Sequence, residues 1–229
     1  AREAASAATG VDRIAPGLAV ADAMVPGRVG GLAYTHRASE LVGRGDADLA
    51  SARAILEAAA IDREGTVAVR ATDVHGTSGV STEHAERELG QVLVDRGFAV
   101  DLDDPDHCLR AVFAEGPLES EADGGEDGDD LAIGAVSVCA LGWLEAESVR
   151  DFGTRAPTDK PFFQPGSMDP LLARAVANIA GARPGATILD PMCGTGGVLV
   201  EAGLVGADAI GTDAQAKMAD GARTNLQHF

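Results

Sequence analysis

The stretch from Thr187 to Asp213 constrains this chain more than any other. It reads TILD, then the glycine-rich PMCGTGG, then an apolar run, then AIGTD. The pattern predicts a strand over 186–189 ending at Asp190, a helix over 196–204, and a second strand over 209–212 ending at Asp213. A helix precedes them: Asp169 followed by Pro170 is a cap and first-turn pair, and the helix runs to about 180. Another follows, with Met218, Ala222, Leu226 and Phe229 on one face. Helices alternating with strands in this way imply a parallel, doubly wound α/β sheet. Two strands do not finish such a sheet. The sequence is therefore expected to be an internal piece of a longer chain, truncated after two strands.

The preceding residues read as α+β. Residues 2–8 look like the middle of a helix, so further residues are expected upstream. A strand is predicted over 30–36, and Asp46 is placed as the cap of a helix through Ala60. Its inner face would carry Leu49, Ala52, Ile55, Leu56 and Ala59. Strands follow over 67–70, 98–102 and 109–114, and another within Leu131–Leu144. Between the first two, Ser81 should cap a helix running to about Arg96, burying Ala85, Leu89, Val92 and Leu93. Residues 119–130 (ESEADGGEDGDD) are too charged and too rich in glycine to bury anything, and read as a solvated hairpin loop. Residues 145–166 read as a linker, with Pro157, Pro161 and Pro165 restricting the backbone and Phe152, Phe162 and Phe163 free to dock.

Composition narrows the classes. Aromatics make up 3% of the 229 residues, so the core must rest on Ala, Val, Leu and Ile. The longest uncharged run, Leu131–Leu144, is 14 residues, short of the roughly 20 that a membrane-spanning helix needs. Cys108, Cys139 and Cys193 are odd in number and lack ligand spacing, which favours a reducing, cytoplasmic setting without a disulfide framework or a metal site. Acidic residues number 36 against 18 basic ones, a net charge of −18. Lys160 and Lys217 are the only lysines; the other basic residues are arginines. An ordinary acidic protein would repel nucleic acid. In a halophilic, high-salt cytoplasm, where the Debye length falls to about 3 Å at 1 M, net charge no longer decides who can approach. The scarcity of lysine favours the second reading, so acidity does not exclude an RNA partner.

The chemistry is concentrated in the loop. Ligands of open α/β sheets bind outside the carboxyl ends of the strands, and here both strands end in an acid. Gly194, Gly196 and Gly197 remove side chains where backbone must approach a ligand. Asp213 follows Gly194 by 19 residues, a spacing at which a carboxylate can accept hydrogen bonds from both hydroxyls of a ribose. A nucleoside-containing cofactor is implied. A dinucleotide site requires GxGxxG directly after the strand, and a phosphate loop requires Lys followed by Ser or Thr. Here Pro191, Met192 and Cys193 intervene, the third glycine position is Leu199, and no lysine follows. Asp190 disfavours a polyanion and suits S-adenosylmethionine, with its ammonium and its cationic sulfur.

DPMCGTGG resembles the cofactor loop of class I, Rossmann-like S-adenosylmethionine-dependent methyltransferases in their nucleic-acid amino-methylating form. PFFQPGSMDP (161–170) and GTDAQAKMADGARTNLQHF (211–229) resemble the archaeal tRNA (guanine-10-N2)-dimethyltransferases. Residues 66–144 are similar to a THUMP domain, an RNA-binding module, and residues 1–65 are taken as its ferredoxin-like N-terminal companion. The methyltransferase part would begin at 167. The resemblance implies that Asp190, Cys193, Gly194, Thr195, Gly196 and Gly197 line the cofactor, that Asp213 holds its ribose, and that Gln164, Pro165 and Ser167 close over it. It implies Arg70, His75 and Arg110 as contacts to tRNA, and a monomer. The family's acid-Pro-Pro-aromatic motif, which carries its reactive residues, is absent, so no catalytic residue is assigned. Three other readings stay open: a guanine-N2 methyltransferase acting on another RNA position, an RNA-binding adaptor with a degenerate cofactor fold, and a dinucleotide-dependent oxidoreductase.

Overall fold

The computed structural model describes residues 1–118 and 134–229, so the acidic 119–130 segment lies outside the described residues. In chain order the first strands are β1 (Ala8–Thr9), β2 (Asp12–Ala15), β3 (Leu18–Val20), β4 (Ala23–Met24), β5 (Arg37–Gly45) and β6 (Thr66–Asp73). The later ones are β7 (Ala99–Val100), β8 (His107–Leu118), β9 (Gly134–Glu147), β10 (Thr187–Asp190) and β11 (Asp208–Gly211). The α-helices are α1 (Pro26–Val29), α2 (Leu49–Ala58), α3 (Thr82–Asp95), α4 (Pro170–Ile179), α5 (Gly197–Leu204) and α6 (Ala216–His228). The chain is mixed α/β and divides into two compact units. One holds residues 11–21 and 39–145, the other residues 1–10, 22–38 and 146–229.

In the first unit a mixed sheet is ordered β5-β9-β8-β6-β7. Strands β6 and β8 are parallel, and β8 and β9 antiparallel. Along β8 the residues Leu109, Ala111 and Phe113 alternate into the core, as the two-residue period of a strand requires. They meet Ala52 and Leu56 of α2 and Ala85, Leu89, Val92 and Leu93 of α3. All four residues predicted for the inner face of α3 are buried. Each wholly buried leucine contributes about 1.5–3 kcal/mol. Packing, more than helix propensity, therefore holds α2 and α3 in place.

Several boundaries differ from the sequence expectation. The strand expected over 30–36 lies instead at Arg37–Gly45, and residues 2–8 contain a single 3-10 turn, Ala4–Ser6, before β1. The cap of α2 is Asp48, whose carboxylate accepts from Ser51 N at 2.7 Å. The strand expected over 98–102 stops at Val100, because Asp101 Oδ1 accepts from the backbone of Asp103 and Asp104 and turns the chain. The 109–114 strand extends to His107–Leu118, and β9 runs from Gly134 to Glu147. The linker expected over 145–166 carries two single-turn 3-10 helices, Phe152–Arg155 and Pro157–Asp159, with Phe152, Arg155 and Lys160 buried.

The second unit carries the two-stranded parallel sheet. Its register pairs Ile188 with Ala209 and Asp190 with Gly211. Asp169 caps α4 by accepting from Leu171 N and Leu172 N. Ile188, Leu199, Ala202 and Ala222 pack together as its core. On α6 the buried residues are Gly221, Ala222 and Asn225. The face centres there and not on Phe229, because a Cβ at Gly221 would stand 2.0 Å from the Phe162 ring, which occupies that space.

Candidate active site

The two predicted acids stand at adjacent strand tips, and backbone bonds zip the loops beyond them. Thr212 N donates to Asp190 O at 3.0 Å, and Cys193 N donates to Thr212 O at 2.9 Å. This crosslink fixes the peptide that follows. Asp213 Oδ2 accepts from Gly194 N at 3.0 Å, and its Oδ1 accepts from Gln215 N at 2.9 Å. Asp190 Oδ1 accepts from Met192 N at 3.0 Å. Each carboxylate oxygen can accept a further bond, and both side chains are half-buried. The acids therefore shape the loop and still face outward.

Two glycines bear the turn. Gly194 has φ +52°, and a Cβ there would meet nothing within 4 Å. The peptide at that point is bare and accessible. Gly196 has φ +78° and forms the N-cap of α5, where a Cβ would lie 3.0 Å from Ala222 Cβ and 3.2 Å from Ala222 Cα. Gly196→Ala is therefore expected to cost about 2–3 kcal/mol, from left-handed strain and overpacking against helix backbone together. Urea unfolding checks this. A loss below ~0.5 kcal/mol would mean that α6 moves freely.

The 164–167 segment touches the loop through Ser167. Thr195 Oγ1 donates to Ser167 Oγ at 3.1 Å, and Ser167 Oγ donates to Gln164 O at 2.7 Å. Pro165 is exposed beside them and Gln164 half-buried. Cys193 is buried. Burial, followed by the Asp190 and Asp213 charges, pushes its thiol pKa up, so the side chain stays a neutral thiol. Gly197 begins α5.

The sequence reading missed the residues that hold this arrangement together. Asn225 is wholly buried and bonds to both Phe162 and Thr195. Glu201, also wholly buried, pairs with Arg155 and Arg174. Glu201 left one signal, a lone acid in an otherwise apolar helix. Asn225 left none.

The three RNA candidates belong to the other unit. Arg70 and Arg110 are register partners on β6 and β8. Arg70 donates to Leu102 O at 2.6 Å, and Arg110 donates to Thr72 Oγ1 at 2.7 Å. His75 lies in the loop after β6 and is exposed, with φ +59°. It is the one non-glycine residue at positive φ among those described, and backbone of this kind gathers at functional loops. Among the described residues, no group of His, Cys, Asp or Glu could hold a metal, and no helix is long and apolar enough to cross a membrane.

Residues 157–229 match the family model of the RMKL-like methyltransferase domain. A "tRNA (guanine(10)-N2)-dimethyltransferase" of Methanothermobacter thermautotrophicus is 36% identical over 200 residues, covering 86% of this chain and 53% of that protein. One of the same name from Methanocaldococcus jannaschii is 34% identical over 173 residues, covering 74% of this chain and 44% of that protein. The crystal structure of TrmN from Thermus thermophilus superposes with a TM-score of 0.47 at 24% identity, over 92% of this chain and 58% of that one. The chain spans about half the length of the curated relatives it matches. By these likenesses its last third is similar to a methyltransferase domain, and most of its length is similar to proteins named as tRNA guanine-N2 dimethyltransferases.

Proposed function

We propose that this protein methylates tRNA, transferring methyl groups from S-adenosylmethionine to the exocyclic N2 amine of guanosine 10, once and then again. The likeness to relatives bearing that name supports the substrate. The observation that carries the cofactor is the bare peptide at Gly194, tied to Asp213 and flanked by Asp190. Its residues fit the group. The absence of a side chain admits a ligand against the backbone, and two carboxylates suit a cationic one. In this reading Asp213 holds the ribose, and Cys193, Thr195, Gly196 and Gly197 wall the methionine end together with Asp190. Gln164, Pro165 and Ser167 cover it.

The cofactor, when bound, supplies a sulfonium methyl, which is already a strong electrophile. The chain's contribution is to fix that methyl in position and to exclude water, since a guanine amine is a weak nucleophile whose attack depends on alignment. The guanine must also leave its stack to reach the loop. Residues 66–144 serve as the RNA-binding THUMP module, with Arg70, Arg110 and His75 as contacts to tRNA. The protein acts as a monomer in a cytoplasm of high salt, in keeping with its two lysines and net charge of −18.

Two experiments test this. Tritiated methyl transfer should label a tRNA transcript carrying G10 and spare one carrying A10; equal labelling would redirect the activity to another guanine. Asp213→Ala should weaken S-adenosylhomocysteine binding about 100-fold or more, since two hydrogen bonds to a charged group are lost at about 1.5–3 kcal/mol each. Calorimetry showing unchanged affinity would place the nucleoside elsewhere.

A further inference from the structure

A cavity of about 540 Å³ lies within the second unit, lined from four stretches of chain: 27–32, 149–151, 174–184 and 204–206. Residues 182–184 lead into β10 and 205–206 into β11, so the cavity stands where the two strands begin. The glycine loop, Asp190 and Asp213 stand at their other ends. The walls are aliphatic. Leu32, Val149, Pro184, Leu204 and Val205 line it, and Val149 and Leu204 are 57% and 43% exposed. Among the described residues no aromatic ring lines it. A space of this size holds a small organic molecule.

Its polar groups offer more donors than acceptors. Asp151 is already paired with the buried Arg155 at 2.9 Å. The Gly31 carbonyl accepts from Arg174 and Asn178, and Arg174 is paired with Glu201. Arg28, half-buried at the wall, has no carboxylate. A guanidinium carries five donors, and among the described residues only Ala182 O, at 3.3 Å, meets those of Arg28. A planar cation with donors to spare, set among aliphatic walls, calls for an acceptor that can take two parallel bonds.

We propose that this cavity binds a monocarboxylate with a branched aliphatic body, the carboxylate on Arg28 and the body against Leu32, Val149 and Leu204. One negative charge matches the one lining guanidinium that lacks a counter-charge. A phosphate dianion would bring a second charge beside Asp151, which disfavours it. Walls without rings suit an alkyl body and give a nucleobase nothing to stack on. A free branched acid and the C-terminal leucine of a peptide both present this chemistry. The assignment does not depend on the cofactor reading.

Calorimetric titration of the intact protein with 4-methylvalerate, its uncharged amide and acetate tests it. Wild type should bind 4-methylvalerate at least ~10-fold tighter than the amide, which lacks the charge-assisted bonds. It should also prefer it at least ~10-fold over acetate, which lacks the body. Arg28→Met keeps an apolar stem and should bring acid and amide within about threefold. Val149→Asp, at an exposed position, should weaken the acid at least ~10-fold and keeps the comparison open if Arg28→Met does not fold. N-acetylglycyl-leucine separates the sources: tighter binding than the free acid assigns the site to a polypeptide C-terminus, weaker binding to a free acid. Saturating S-adenosylhomocysteine should leave every one of these affinities unchanged. Absence of 4-methylvalerate binding, equal affinity for acid and amide or for acid and acetate, or an unchanged ratio in folded Arg28→Met overturns the assignment. Competition by S-adenosylhomocysteine overturns it too, by placing the acid at the glycine loop.

Discussion

Replacing Glu201 with alanine should destabilise the protein by about 3–5 kcal/mol, the range seen when one partner of a buried ion pair is removed. Glu201 is wholly buried; its Oε1 accepts from Arg155 Nε at 2.9 Å, and its Oε2 accepts from Arg174 at 2.7 Å. Arg155 is 4% exposed and turns its other edge to Asp151 at 2.9 Å. Burial alone would lower the guanidinium pKa, yet the bonds to Asp151 and Glu201 more than reverse it, so its charge is held in place. Truncation at 201 would leave the buried Arg174 without a carboxylate and Arg155 with Asp151 alone. For a chain of this size the loss corresponds to roughly 6–20 °C in Tm. Urea unfolding of wild type and Glu201→Ala measures it, and a difference below ~1 kcal/mol would show that both arginines reach water. The clamp also bears on the site, since Arg155 belongs to the segment that leads into Gln164–Ser167.

Asn225→Asp is expected to be nearly as damaging, despite identical shape. Asn225 Oδ1 accepts from Phe162 N at 2.9 Å, while Nδ2 donates to the carbonyls of Phe162 and Thr195, both at 2.8 Å. An aspartate keeps the first bond and turns a carboxylate oxygen toward two carbonyl oxygens. We expect a loss of about 3 kcal/mol at pH 8. The direction with pH follows from linkage. Burial raises the folded pKa of the new carboxyl above its unfolded value near 3.9, so the folded state holds a proton that the unfolded state has released. The defect therefore grows as pH rises above ~4, and the variant should recover part of its deficit at pH 5. Unfolding at the two pH values decides it. A deficit that does not change with pH would mean the carboxylate is solvated. Because Asn225 joins the two chain segments of the proposed cofactor pocket, affinity for S-adenosylhomocysteine should fall at least ~10-fold in the folded variant.

Residues whose signal is local were readable from the sequence. Ser81 and Asp169 cap helices because their side chains reach backbone N–H groups two or three residues on. Leu89, Val92 and Leu93 declare an inner face through their spacing alone. The acid-tipped strands and the glycine turn were legible for the same reason, since strand, loop and helix lie within 30 residues of one another in the chain. Errors arose where two local signals competed. Asp46 and Asp48 are both capping types, and it is Asp48 whose extended backbone lets its carboxylate accept from Ser51 N. The strand expected near Phe98 ended early because Asp101 captured the following amides.

What the sequence determined by itself is the order of elements in the last third, the glycine-rich loop and the two acids beside it, because short-range periodicity and turn chemistry encode them. The tertiary structure decided what surrounds that loop. Glu201 meets Arg155 across 46 residues of chain and Asn225 meets Phe162 across 63. A buried polar side chain is tolerated only when distant groups converge on it, and no pattern in the neighbouring residues foretells which groups those will be.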